Sequence, residues 1–323
     1  MRISTNLGLA GFHGRRNFLR RLFVSMKDRH GIKVVDAKSK PDVHLIVIQG
    51  DKIPAAKNIV RIDGVYYDRP RLQTNQPIKR TVLQSDGVIF QSNFSKSHAQ
   101  AILKVAPSKS VVIHNGASAR EVADSPPHMA LRKGYDRLFV ACAHWLRRPS
   151  KRFTAIARAF VKANQQTSLR LKFVVIGRIS PRERLANPSI AYLGDLSPDQ
   201  VIGVYKACDY MIHVSHIDSC PNAVIEGLIS GLPVLCNNLG GTPEIVGDSG
   251  IVSPLDKLPY KFGTVFRSEE EVGSKSINNT VLSRSILEIC KKQKSDWDIQ
   301  RPDLEISAIA DQYYGFFKRV LGS

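Results

Sequence analysis

Three carboxylates, a helix start and two glycine turns fall within Asp218 to Val246, DSCPNAVIEGLISGLPVLCNNLGGTPEIV. Pro221 suits the first turn of a helix, where its missing N–H costs nothing. Val224, Ile225, Leu228 and Ile229 then repeat at helical spacing, Gly231 and Pro233 end the helix, and Val234 to Cys236 reads as a strand. The apolar run Tyr210 to Val214 before it reads as another, which gives a strand, a loop, a helix and a strand. In a parallel sheet such a unit aims the first amides of the helix, around Cys220, Pro221, Asn222, Ala223 and Val224, beyond the strand ends. The helix dipole favours an anion there, and a phosphate fits. Glu226, about one turn into the helix, is placed to accept from a sugar hydroxyl beside that phosphate, and Asp218 stands on the preceding loop. The same pattern also fits an ordinary buried crossover whose carboxylates are solvated caps.

A second cluster lies at another strand-to-helix turn. Arg137 to Ala143 reads as a strand, and His144 to Arg152, HWLRRPSKR, brings Arg147, Arg148, Lys151 and Arg152 together before a helix bearing Ile156, Phe160 and Val161. Arginine forks two oxygens and lysine acts as a point charge, so this turn is suited to clamping a diphosphate. A surface basic loop is the alternative.

The wording of the first stretch closely resembles the nucleotide-sugar signature of the retaining glycosyltransferases of the GT-B fold, the family 4-like, group 1 enzymes. Asp218 and Glu226 hold its two acidic places, with Gly231-Leu232-Pro233-Val234 and Gly240-Gly241-Thr242-Pro243-Glu244-Ile245-Val246 following in register. The resemblance is strong from about Val140 to Val252 and thinner before it. It implies an α/β architecture of two Rossmann-like domains facing each other across a cleft, the first one trimmed. It also implies transfer of a hexose from a GDP- or UDP-linked donor, GDP-mannose or a UDP-hexose, to a hydroxyl on a glycan, lipid carrier or glycoprotein. Retention of configuration would follow either a covalent intermediate or, the preferred reading, attack on the face that the leaving group vacates.

By the same resemblance Lys151 takes the place of the family's phosphate-binding lysine. A gapless match puts its arginine near Trp145 or Leu146, so Arg147 or Arg148 must substitute through a changed loop. Gly177, Arg178 and Gly194, at two further strand ends, become candidates for the nucleotide, and Gly11 for the loop facing the donor phosphates and acceptor. Asp218 is one methylene shorter than the family's glutamate. No cofactor is implied, and no metal, because cations and helix amides can stabilise a departing diphosphate.

At the start of the chain, Arg2 to Thr5 reads as a strand, and Gly8, Gly11 and Gly14 punctuate the loop before a helix with Phe18, Leu19, Leu22, Phe23 and Met26 on one face. Ile32 to Val35, Val43 to Ile48 and Ile59 to Ile62 are strand-like with helical connectors short or missing. Asp63 and Tyr67 follow the last of these, in a polar loop where site residues are expected; a plain turn is the alternative, and both are acceptor-side candidates. Pro77 to Ser85 reads as a helix, Gly87 to Gln91 as a strand, and Ser95 to Val105 as a helix capped by Ser95. Ala117 to Lys133 reads as a linker, and Tyr260 to Asn279 gives no clear element. By the resemblance the domains are expected at 1–122 for the acceptor and 123–305 for the donor, with 306–323 a helix returning to the first domain.

The bulk numbers fit this reading. A chain of 323 residues with 43% hydrophobic and 23% charged residues is long enough for two cores. Its formal charge of +19 and pI near 9.9 call for an anionic partner. A nucleotide diphosphate, an anionic acceptor and peripheral contact with an anionic membrane all qualify; a homodimer is also allowed. Nucleic acid is disfavoured, since the basic residues are scattered and no zinc-finger, RRM or basic-zipper pattern occurs. The competing class is a catalytically inactive nucleotide-sugar binder or a basic nucleic-acid-binding protein. Five cysteines without a regular spacing argue against disulfides and zinc. With no apolar run long enough to span a bilayer and no signal-peptide pattern, a cytoplasmic location is expected.

Overall fold

Short apolar strands alternate with amphipathic helices through most of the chain, the pattern that builds parallel sheets covered on both faces. The structure, a computed structural model, describes residues 1–11, 14–274 and 277–322. It divides into two compact units, Met1–Ser118 with Lys261–Arg267 and Pro302–Ser323, and Ala119–Tyr260 with Ser268–Arg301.

The first unit runs β1 (Arg2–Thr5), α1 (Gly14–His30), β2 (Lys33–Val34), β3 (Val43–Val47), β4 (Lys57–Ile62), α2 (Asn75–Gln84), β5 (Gly87–Phe90), α3 (Asn93–Leu103) and β6 (Ser110–Val112). Its six strands are parallel in the order β2-β1-β3-β4-β5-β6. No helix joins β2 to β3 or β3 to β4, which is the trimming the sequence suggested. One cap differs from expectation. Ser92, not Ser95, is the N-cap of α3; the Ser95 amide donates to Ser92 Oγ at 3.0 Å and Ser95 Oγ accepts from the Ser92 amide at 3.0 Å.

The second unit begins with α4 (Ala119–Asp124), inside the expected linker. Lys206 Nζ donates to the Val122 and Ser125 carbonyls at 2.9 and 2.6 Å, which ties this stretch to the body of the unit. Then follow β7 (Arg137–Cys142), α5 (Phe153–Asn164), β8 (Leu171–Ile176), β9 (Ile190–Gly194), α6 (Pro198–Ala207), β10 (Tyr210–His213), α7 (Asn222–Ile229), β11 (Val234–Asn237), α8 (Thr242–Val246), β12 (Gly250–Ser253), α9 (Glu269–Ser274) and α10 (Asn279–Ile289). The parallel order is β12-β11-β10-β7-β8-β9. The chain lays strands outward from β7 through β9, then returns to β7's other side with β10. Loops leaving β7 and β10 therefore diverge and open a crevice at their carboxyl ends.

The last helix, α11 (Ile306–Leu321), belongs to the first unit. Ile309, Tyr313, Phe316, Phe317 and Val320 bury against Phe18, Leu19 and Leu22 of α1. Arg29 forks Asp311 at 2.8 and 2.6 Å, and the His30 ring stacks on Tyr314 at 4.0 Å. Phe317 is fully buried. Phe317→Ala is therefore expected to cost about 3–5 kcal/mol, read as a lower midpoint in urea unfolding, and a change below about 1 kcal/mol would show that the first unit does not depend on this helix.

Candidate active site

At the β7/β10 crevice two loops are drawn onto one carboxylate. Lys151 ends the short turn Pro149–Lys151 that follows β7, and its Nζ lies 2.5 Å from Asp218 Oδ2 in the loop after β10. His213 Nε2, from the buried end of β10, is 3.3 Å from the same oxygen. The backbone of Asp218 is fixed from a third direction, since its carbonyl accepts from the Gly241 amide at 2.7 Å. Gly240 makes that approach possible: it has φ +91°, and a Cβ there would lie 2.8 Å from Asp218 O. Burial alone would raise the Asp218 pKa. The Lys151 ammonium and the His213 hydrogen bond outweigh it, and the carboxyl stays well below the ordinary carboxylate range. Burial pushes His213 down, so the ring favours its neutral form.

The four cations of the HWLRRPSKR turn part company. Only Lys151 reaches Asp218. Arg152 is buried in a left-handed conformation, φ +59°, and its guanidinium donates to Asp256 at 3.0 and 2.5 Å. Asn237 Nδ2 donates to the same carboxylate at 2.7 Å, so the loops after β7, β11 and β12 are clamped together. Arg152 is thus unavailable to a ligand. Trp145 turns inward, 5% exposed, with its Nε1 on the Ile176 carbonyl at 2.8 Å. Arg147, at φ +54°, and Arg148 are exposed, and among the described residues neither side chain has an ion-pair partner.

At the start of α7, Pro221 occupies the N-cap, and its carbonyl accepts from the Val224 and Ile225 amides at 3.1 and 3.3 Å. The Val224 amide is therefore engaged inside the helix and its side chain is core; Asn222 and Ala223 form the rest of the first turn. Cys220 is buried at 5% exposure. Glu226 is half-buried near the end of β7: burial pushes the Cys142 thiol up to about 12, and the Glu226 charge adds to the shift. Gly177 ends β8 where a Cβ would stand 1.9 Å from the Ala143 carbonyl, and its amide donates to the Gly194 carbonyl at 2.7 Å. Arg178 pairs with Asp195 at 2.7 Å on the surface.

In the first unit, Gly11 has φ +88° and its carbonyl accepts from Arg20 at 2.7 Å. Asp63 is the counter-ion of the buried Arg61; it also accepts from Gln91 at 2.5 Å and lies 3.4 Å from Arg15. Arg61 donates in turn to Asn115 at 2.6 Å and covers the Phe18 ring. Tyr67 packs edge-on against His98 and Phe266. Burial pushes His98 down to about 4. Asp63 and Tyr67 thus each have packing partners within their own unit.

The spacing arguments missed His213, Arg152 with Asp256, and Arg61. Each lies on or beside a buried strand end, where the types of its neighbours conceal a polar partner far along the chain. The string Asp296-Trp297-Asp298 has Asp-x-Asp form, but Asp296 Oδ2 accepts from the Gln293 amide at 2.7 Å in a local cap. No group of three or more metal-ligating side chains occurs among the described residues.

The fold is that of the GT-B glycosyltransferases. The chain superposes on sucrose-phosphate synthase from Thermosynechococcus elongatus with a TM-score of 0.71 at 12% identity, covering 99% of both chains. It superposes on Anabaena HepE, solved in complex with UDP and glucose, with a TM-score of 0.61 at 14% identity, covering 99% of this chain and 100% of the other. Residues 136–263 match the family described as glycosyl transferases group 1. The O-antigen chain mannosyltransferase B of Escherichia coli is 31% identical over 64 residues, which span 20% of this chain and 17% of that protein.

The Arg152–Asp256 clamp makes a pH-dependent prediction. Burial opposes the charged form of Asp256, but the bonds from Arg152 lower its pKa, so the pair contributes stability above the ordinary carboxylate range and loses it as pH falls. Asp256→Asn leaves a buried guanidinium without its charge and is expected to cost about 3–5 kcal/mol at neutral pH. Urea unfolding from pH 7 down to pH 3 should show the gap to wild type narrowing; a gap independent of pH would refute the assignment.

Proposed function

We propose that this protein is a retaining glycosyltransferase that moves a hexose from a nucleotide-diphosphate sugar to an acceptor hydroxyl without a metal ion. The observation that carries this is the convergence of Lys151 and Asp218 at the β7/β10 crevice, beside the start of α7. The leaving diphosphate gains negative charge as the glycosidic bond breaks. Lys151, together with Arg147 or Arg148, neutralises it, aided by the Asn222 and Ala223 amides. Glu226 holds the ribose, and Asp218 accepts from the donor sugar. The acceptor attacks on the face that the diphosphate vacates.

The donor is GDP-mannose or a UDP-hexose. The mannosyltransferase likeness supports the first, and the UDP and glucose bound by HepE support the second. The first unit holds 24 basic against 10 acidic residues, which supports an anionic acceptor, such as a lipid-linked glycan, and peripheral contact with an anionic membrane on the cytoplasmic side. Among the described residues no helix is long and apolar enough to cross a membrane.

Calorimetric titration with a panel of GDP- and UDP-linked sugars identifies the donor. Donor hydrolysis and transfer are then measured for Lys151→Ala and Glu226→Ala. Each variant is expected to lose about 10²–10³ in kcat. Turnover equal to wild type in both would refute the reading, and nucleic-acid binding without sugar-nucleotide binding would replace it with the rival class.

A further inference from the structure

The cation assigned above to the donor diphosphate already has an anion on it. Lys151 Nζ and Asp218 Oδ2 are 2.5 Å apart, with side chains 20% and 17% exposed. A second anion cannot take the same ammonium at that distance without meeting the carboxylate's charge. Asp218 cannot simply withdraw either. Its carbonyl is held by Gly241, its backbone is backed by the side-chain-free face of Gly240, and its side chain has only one methylene. When it gives up Lys151, the carboxylate swings within the same turn and needs new donors there. His213 supplies one. The rest must come from the ligand, because a half-buried carboxylate left without donors is costly.

A nucleoside diphosphate brings negative charge to Lys151, and with its ribose hydroxyls on Glu226 it leaves the displaced carboxylate without a donor. A nucleotide sugar, whose diphosphate is esterified at both ends, brings one negative charge fewer and adds the hydroxyl donors of its sugar. We propose, resting on the functional reading above, that Asp218 is a specificity-determining residue that stands in for the diphosphate on Lys151 and yields only to a ligand carrying sugar hydroxyls. The site then prefers the intact donor to the nucleoside diphosphate product. After transfer the carboxylate loses its hydroxyl partners, returns to Lys151 and helps expel the diphosphate.

The test is calorimetric titration of the full chain with UDP, GDP and their hexose conjugates, for wild type, the isosteric Asp218→Asn and the smaller Asp218→Ala, each checked for an intact thermal transition. Wild type should bind the nucleotide sugar more tightly than the matching diphosphate. Removing the internal anion should tighten diphosphate binding by about tenfold and leave nucleotide-sugar binding no tighter, so the preference shrinks or reverses. If wild type binds its nucleotides but both variants bind the diphosphate as wild type does, or more weakly, the stand-in role is wrong while the functional reading survives. If wild type binds neither ligand, the functional reading itself fails and takes this inference with it.

Discussion

A lysine and a carboxylate held half-buried at a strand end each depend on the other's charge, because desolvation costs an ion several kcal/mol that only a partner can offset. In the second unit this constraint ties two loops together that the sheet would otherwise send apart. The chain reverses its direction of winding between β7 and β10, so the loops leaving them diverge. Lys151 and Asp218 bridge the gap at 2.5 Å. Other unusual backbone features lie in the same region. Gly240 removes a side chain that would strike Asp218, Gly177 lets the end of β8 pass against Ala143, and Arg152 takes a left-handed backbone so that its guanidinium can reach Asp256.

Most of the scaffold was legible because its signals are local. The strand-loop-helix-strand unit around Pro221 and the short connectors of the first sheet follow from runs of apolar residues and from Pro and Gly placement, whereas the return of the last helix was implied only by the family resemblance. Fine placement was not legible where it depends on distant partners. Four cations crowded between Arg147 and Arg152 look equivalent as a string. Whether one of them reaches Asp218 or Asp256 is decided by backbone φ at Arg147 and Arg152 and by the inward turn of Trp145. His213 is equally hidden, because a histidine closing the apolar run Tyr210–His213 reads as one more strand residue until the loop after it folds back. The α8 and β12 elements, each only four or five residues long, carry too little periodicity to show as elements in the sequence.

The first unit answers a different demand. Its core contains a charged residue, Arg61, at 1% exposure, which is tolerable only because Asp63 and Asn115 satisfy it and the Phe18 ring lies against it. The loop that the sequence marked for acceptor chemistry is thus also part of a buried polar network. Its rigidity is set by charge pairing and not by apolar contact alone.

The central claim is that the β7/β10 crevice of the second unit holds the pyrophosphate of a nucleotide sugar, with Lys151 on one side and the first turn of α7 on the other. A crystal structure of the protein soaked with its nucleotide-sugar donor tests this most directly. Phosphate oxygens are expected within hydrogen-bonding distance of Lys151 Nζ and of the Asn222 and Ala223 amides, with Asp218 turned from the lysine toward the sugar. Density for the donor elsewhere, with the Lys151–Asp218 contact undisturbed, would contradict it.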